Sequence, residues 1–288
     1  MLLLRQLLLF SFKHNQEEEW CEYVRKKIFH KIVMSLIFAT IILPSHAEEI
    51  LPAPSLPCFP GAYYRKAASS FDQWTGIEGV IVLPEGTADF ARYGNNGPLD
   101  KFSIYMGGRA NNQEVDAGIL WEITKDPFGN IDTFNRAYRP FWRVTSWNNA
   151  PATKEYYWYP GERILMRVEV AGSGLLRLTV EDATPNPEKS FSVEFAASQF
   201  GVGFPQQFKR VNAIDQLGNE GRPVQPTRAK VVGAIWEEVY LLRGEERFPF
   251  VPERFTDMRC PDPCYFVIET YNDKGGEAIS IYGNENTE

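Results

Sequence analysis

The sequence predicts an all-β fold, a two-sheet β-sandwich or jelly roll, on three observations. About eleven short segments have strand composition, several alternating apolar and polar residues with a period of two. Clusters of Gly, Pro, Asn and Asp break them at regular spacing. No long stretch repeats its apolar residues at the helical period.

The first element is an address rather than a fold. Residues 24–31 are basic, residues 32–43 are apolar and small, and Pro44-Ser45-His46-Ala47 offers a cut site, the three parts of a secretory signal. The apolar run is shorter than the roughly twenty residues a membrane-spanning helix needs. Cleavage is expected after Ala47, with residues 24–47 the signal proper. Residues 1–23, Leu-rich and then acidic, read as an extension ahead of the true start, or else as a cytoplasmic extension on an uncleaved anchor. The mature chain, from residue 48, is then secreted or periplasmic. All three histidines (His14, His30, His46) precede it. Serine–histidine and cysteine–histidine catalysis are therefore excluded from the mature part. It retains 24 basic against 33 acidic residues, a surface that favours neither nucleic acid nor an anionic membrane.

Residues 48–70 read as a Pro-rich linker and first strand, and 71–288 as the sandwich. Residues 244–288, less regularly spaced, are either part of it or a small C-terminal appendage. Strands are expected at 80–83, 102–106, 115–123, 138–145, 164–170, 175–180, 191–195, 208–214, 231–242, 265–271 and 278–282. Ala171-Gly172-Ser173-Gly174, between two alternating segments, reads as a hairpin turn. Of the cysteines left after export, Cys58, Cys260 and Cys264, two should pair in an oxidising compartment. Three thiols without histidine make a poor zinc site, and no Gly-rich phosphate loop is present, so no metal or cofactor is expected.

Alternation places Glu114 and Asp116 on one strand face, about 7 Å apart. Retaining glycoside hydrolysis needs two carboxyls about 5 Å apart. The further glutamate that jelly-roll glucanases carry after this pair is replaced by Ala117-Gly118-Ile119-Leu120. Arg139, Phe141 and Arg143 share a face of another strand. Trp121 and Trp142 alternate with apolar residues and read as core, whereas Trp147, in Ser146-Trp147-Asn148-Asn149, reads as an exposed loop platform for a ligand.

One ordered block consists of Glu114-Val115-Asp116-Ala117-Gly118, the segments at 138–144 and 157–170, and Phe208-Lys209-Arg210-Val211-Asn212-Ala213-Ile214-Asp215-Gln216. It resembles the YrpD-like secreted bacterial proteins, over residues 75–242. That resemblance implies a concanavalin A-like jelly roll with no assigned activity. The same order is similar to the glutamic peptidases, which use a glutamine and a glutamate on one sheet face. Asp116 stands where that glutamine is needed, and Arg210 and Asn212 are read on the exposed face of the second strand, so both catalytic identities are lost. If the two strands are neighbours, as the resemblance implies, Arg210 is the partner of Asp116. The expected site is Glu114, Asp116, Arg139, Phe141, Arg143, Trp147, Arg210 and Asn212, a charged hollow for a cell-wall or extracellular polysaccharide or another polar polymer. Two alternatives remain: a carboxylate-dependent hydrolase using Glu114, Asp116 or Glu237, and a structural surface protein without a small ligand.

Overall fold

In a computed structural model, residues 49–89, 91–94, 97–125, 131–270 and 272–283 are described. The signal-like segment and Tyr271, the end of one expected strand, lie outside them. The strands are β1 (Ala62–Ala68), β2 (Gly76–Val82), β3 (Glu85–Thr87), β4 (Tyr93–Gly94), β5 (Gly97–Pro98) and β6 (Asp100–Ala110). They continue with β7 (Gln113–Lys125), β8 (Ile131–Arg143), β9 (Trp147–Asn149), β10 (Arg163–Gly172), β11 (Leu175–Asp182) and β12 (Ser190–Ala196). The last are β13 (Gln207–Gln216), β14 (Lys230–Arg243), β15 (Glu246–Pro249), β16 (Thr256–Cys260), β17 (Phe266–Thr270) and β18 (Glu277–Tyr282). No α-helix occurs among the described residues.

Two antiparallel sheets form a jelly-roll-type sandwich. One runs β16-β1-β13-β6-β7-β8-β9. The other runs β12-β11-β10-β2-β14-β18-β17, with β3 and β15 also pairing β14. Strands after residue 244 enter both sheets: β16 pairs β1, and β17 and β18 extend the β14 side. Trp147 belongs to a three-residue edge strand paired with β8 rather than to a loop.

Between the sheets lies one continuous core. Trp74, Trp121, Trp158 and Trp236 are fully buried in it. Their indole N–H groups need acceptors when removed from water. Trp158 donates to Asp182 at 2.9 Å and Trp236 to Asn212 at 2.9 Å.

The core also encloses charge. Arg65 (β1) and Arg210 (β13) both reach Glu277 (β18), the first with Nη2 to Oε1 at 2.9 Å and the second with Nη2 to Oε2 at 2.6 Å. The three side chains are nearly inaccessible. Arg65 Nη1 also meets Asp257 at 2.8 Å, and both guanidinium groups lie over the Phe255 ring. This triad joins the two sheets. Burial acts to raise the Glu277 pKa, but the two arginines outweigh it and hold the carboxyl down at about 2.

Among the described residues one disulfide, Cys58–Cys260, closes a span of 202 residues and fastens the chain before β1 to the end of β16. Cys264 is exposed and outside this bond.

Removing one member of a buried ion set leaves the others uncompensated, which costs about 3–5 kcal/mol. Glu277→Gln is therefore expected to lower stability by an amount in that range, measured by urea unfolding at pH 7. A carboxyl depressed in the fold contributes stability above its unfolded pKa, and that contribution is lost as pH falls from about 4.5 toward 2. The wild type should lose more stability across that window than Glu277→Gln does. Parallel pH profiles would show that Glu277 is not the linked group.

Candidate functional site

The outer face of the seven-stranded sheet carries a hollow of about 810 Å³. Strand register arranges its floor as rows. One row runs Lys209 (β13), Gly107 (β6), Asp116 (β7), Arg143 (β8) and Trp147 (β9). The next runs Lys66 (β1), Val211, Tyr105, Gly118 and Phe141. Asp215 and Lys101 are paired farther along β13 and β6. The segment held by the disulfide supplies one lip through Pro57 and Phe59.

Two glycines make the floor deep. Gly107 has φ +144°, and a Cβ there would lie 2.0 Å from the Val115 carbonyl oxygen. With no side chain between them, Lys209 reaches across Gly107 to the carboxylates of β7. Its Nζ lies 2.5 Å from Glu114 Oε1 and 2.6 Å from Asp116 Oδ1. At Gly118 a Cβ would meet the Ile104 carbonyl oxygen at 2.4 Å. The bare position lets the rings of Tyr105 and Phe141 approach to 6.0 Å from either side. Mid-strand glycine pairs of this kind are the sequence signal for close approach.

The aromatic wall ends at Trp147. Its ring stacks on Phe141, with centroids 4.4 Å apart and planes within 5°, and its Nε1 donates to Asn149 Oδ1 at 3.0 Å. Phe141 is buried beneath it while Trp147 is 44% exposed. An exposed indole fixed from below and from its edge is a rigid apolar shelf.

Electrostatics divide the charged groups. Burial acts to lower the Lys209 pKa, but Asp116 and Glu114 outweigh it and the net shift is upward. For Glu114, burial opposes ionisation, yet Lys209 carries its carboxyl below the ordinary value. Asp215 accepts a short hydrogen bond from Ser103 Oγ. Burial raises the Asp215 carboxyl to about 6 against that bond, with Asp116 adding to the rise. Tyr105, partly buried on the floor of the hollow, is raised first by burial and then by Asp116 and Asp215.

The sequence-expected residues separate accordingly. Glu114, Asp116, Phe141, Arg143 and Trp147 line the hollow. Arg139 is on the same sheet face but is held by Glu122 at 2.5 Å. Arg210 and Asn212 do not belong to the site. They point into the sandwich, where Arg210 pairs with Glu277 and Asn212 accepts from Trp236. The expected Asp116–Arg210 pair is replaced by Asp116–Lys209, because β6 lies between β7 and β13 and the odd residues of β13 face outward. Glu237 lies on β14 of the other sheet, paired with Arg163 at 2.6 Å. Lys66, Lys101, Ser103, Tyr105, Lys209 and Asp215 were missed. The even spacing of Lys101, Ser103 and Tyr105 on β6, and of Lys209 and Asp215 on β13, shows that they share faces, but not which face is the hollow.

Lys209→Met is expected to return the Glu114 carboxyl to or above its ordinary pKa, read by NMR titration. A Glu114 still depressed in that variant would remove Lys209 as its counter-ion.

No family profile matches the sequence, and no curated protein matches it. Solved structures do. Scytalido-glutamic peptidase with a transition state analog inhibitor aligns with TM-score 0.51 and 9% identity, over 77% of this chain and 98% of that one. The same peptidase with a peptide-based transition state analog gives 0.49 and 10%, again over 77% and 98%. SCP-B, a member of the Eqolisin peptidases, in complex with a tripeptide gives 0.47 and 10% over the same shares. At such identity the likeness is one of fold, a β-sandwich shared with the first of these structures, and fold alone does not carry function.

Proposed function

We propose that this is an exported, non-enzymatic binding protein whose hollow on the seven-stranded sheet holds a glycan or other polar polymer. The observation that carries this reading is the Trp147 shelf, stacked on Phe141 and opening onto the row of Asp116 and Lys209. Sugar rings present an apolar face that packs on an indole and hydroxyls that charged side chains hydrogen-bond. A hollow of about 810 Å³ lies within the range of small-molecule sites. Export is supported by the signal-like residues 24–47 and by the Cys58–Cys260 disulfide. Among the described residues no helix is long and apolar enough to cross a membrane. The acidic net charge of −7 argues against nucleic acid as the partner.

On a glycan array the wild type is expected to retain a defined set of polysaccharides. Trp147→Ala and Asp116→Ala should each lose at least about tenfold in affinity, some 1.4 kcal/mol. A blank array, or variants that bind as the wild type does, would overturn the proposal.

Asp215 favours a second reading, a carboxylate-dependent hydrolase working at acid pH. A carboxyl raised to about 6 beside a serine hydroxyl has the protonation expected of a general acid. Assays on denatured casein and on polysaccharides between pH 3 and 7 should then show turnover that Asp215→Asn abolishes. Activity that survives this substitution would exclude Asp215 from the role.

A further inference from the structure

The charges in the hollow are not equally occupied. Lys209 already holds both Glu114 and Asp116, and Asp215 takes a hydrogen bond from Ser103. The side chains of three cations of the lining, Lys66, Lys101 and Arg143, make no hydrogen bond or ion pair among the described residues. Arg143 is the cross-strand neighbour of Asp116, whose carboxylate lies against Lys209 instead. Lys66 is diagonal to Lys209 on the adjacent strand. Burial first, and then the Lys209 charge, lower the Lys66 ammonium to about 8, with Arg109 acting the same way and Glu114 and Asp116 only partly opposing. Lys101 is lowered by burial, against the pull of Glu122. The lining carboxylates that Lys209 does not hold are Asp215, on which Arg143 acts at a distance, and Glu220, exposed at the rim.

A half-buried ammonium without a counter-ion is unfavourable, and an anion placed beside it recovers the lost solvation. Four strand spacings separate Lys66 on β1 from Arg143 on β8, about 19 Å at 4.8 Å per strand. That spread suits a chain bearing repeated charges better than one small ion. The ligand charge it selects has the same sign as the protein's own net charge of −7, so attraction rests on these local cations rather than on the field of the whole chain.

We infer that the polymer held in this hollow is an acidic polysaccharide, carrying carboxylate or sulfate groups, with Lys66, Lys101 and Arg143 meeting its charges while Trp147 packs on a sugar face. This deepens the polymer-binding reading and rests on it.

Matched pairs of ligands test the inference: polygalacturonate against its fully methyl-esterified form, and dextran sulfate against dextran, by calorimetry at low and at physiological salt. One acidic chain is expected to bind at least tenfold more tightly than its neutral counterpart, and which pair shows this distinguishes carboxylate from sulfate. The advantage should shrink with added salt. Lys66→Gln, Lys101→Gln and Arg143→Gln should each erode it, and Lys66→Arg should keep it. Trp147→Ala should weaken acidic and neutral chains alike. Thermal melts of the variants confirm that they are folded. Equal binding of acidic and neutral chains, or polyglutamate binding better than either acidic glycan, overturns the inference and leaves the hollow as a polymer site of another kind. If no polysaccharide binds at all, the polymer-binding reading falls and takes the inference with it.

Discussion

The ion set Arg65–Glu277–Arg210 is the interaction on which the rest of the molecule depends. It connects β1 and β13 of one sheet to β18 of the other inside a core of aromatic and aliphatic side chains. Buried charges persist only when paired. Arg65 and Arg210 must therefore face inward, toward the one carboxylate that serves them both. Side chains alternate along a strand, so this requirement also fixes the other parity. Lys66 and Lys209, one residue along, are directed outward onto the opposite face of the sheet. The inner triad and the outer hollow are two consequences of the same strand orientation.

The hollow itself is shaped by omission. Gly107 and Gly118 leave the middle of β6 and β7 without side chains, at positions where backbone from the neighbouring strand is too close for a Cβ. Tall side chains on the flanking strands, Lys209 and Tyr105 on one side and Phe141 on the other, then lean over the gap. Lys209 bridges the two carboxylates that the sequence presents most conspicuously and offsets one of their two negative charges. The face is consequently less acidic in effect than its composition suggests, and its remaining cations and exposed indole are the groups accessible to a partner. The disulfide places the lip of the hollow by tying Cys58 to the sheet edge at Cys260.

The scytalido-glutamic peptidase structure with the transition state analog inhibitor shares this architecture at 9% identity. A sandwich of this type is determined by alternation, turns and core volume, which many sequences satisfy. What the sheet face does is determined by a handful of side chains on it. Here those are a lysine holding two carboxylates, a raised aspartic acid beside a serine, and a stacked tryptophan.

The sequence by itself determined the strand content. Period-two segments such as Ile164–Val170 and the turn residues between them are local features, and each expected strand falls on a strand of the two sheets, with only the end residues Leu83, Val144, Thr145 and Tyr265 outside it among the described residues. It also determined what chemistry the described residues lack, since histidine is absent from them. Strands with charged or short sequences, β1 with Arg65-Lys66 and β15 and β16 near the C-terminus, were less legible, because their stability comes from partners far along the chain. Only the tertiary structure decided the facing of β13. Its even positions carry Phe208, Arg210, Asn212 and Ile214, and its odd positions Lys209, Val211, Ala213 and Asp215. Each set mixes polar and apolar residues, so alternation shows which residues share a face without showing which face meets water. The answer came from Glu277, 67 residues beyond Arg210. Electrostatic pairing across such a separation is a property of the folded chain, and no local pattern encodes it.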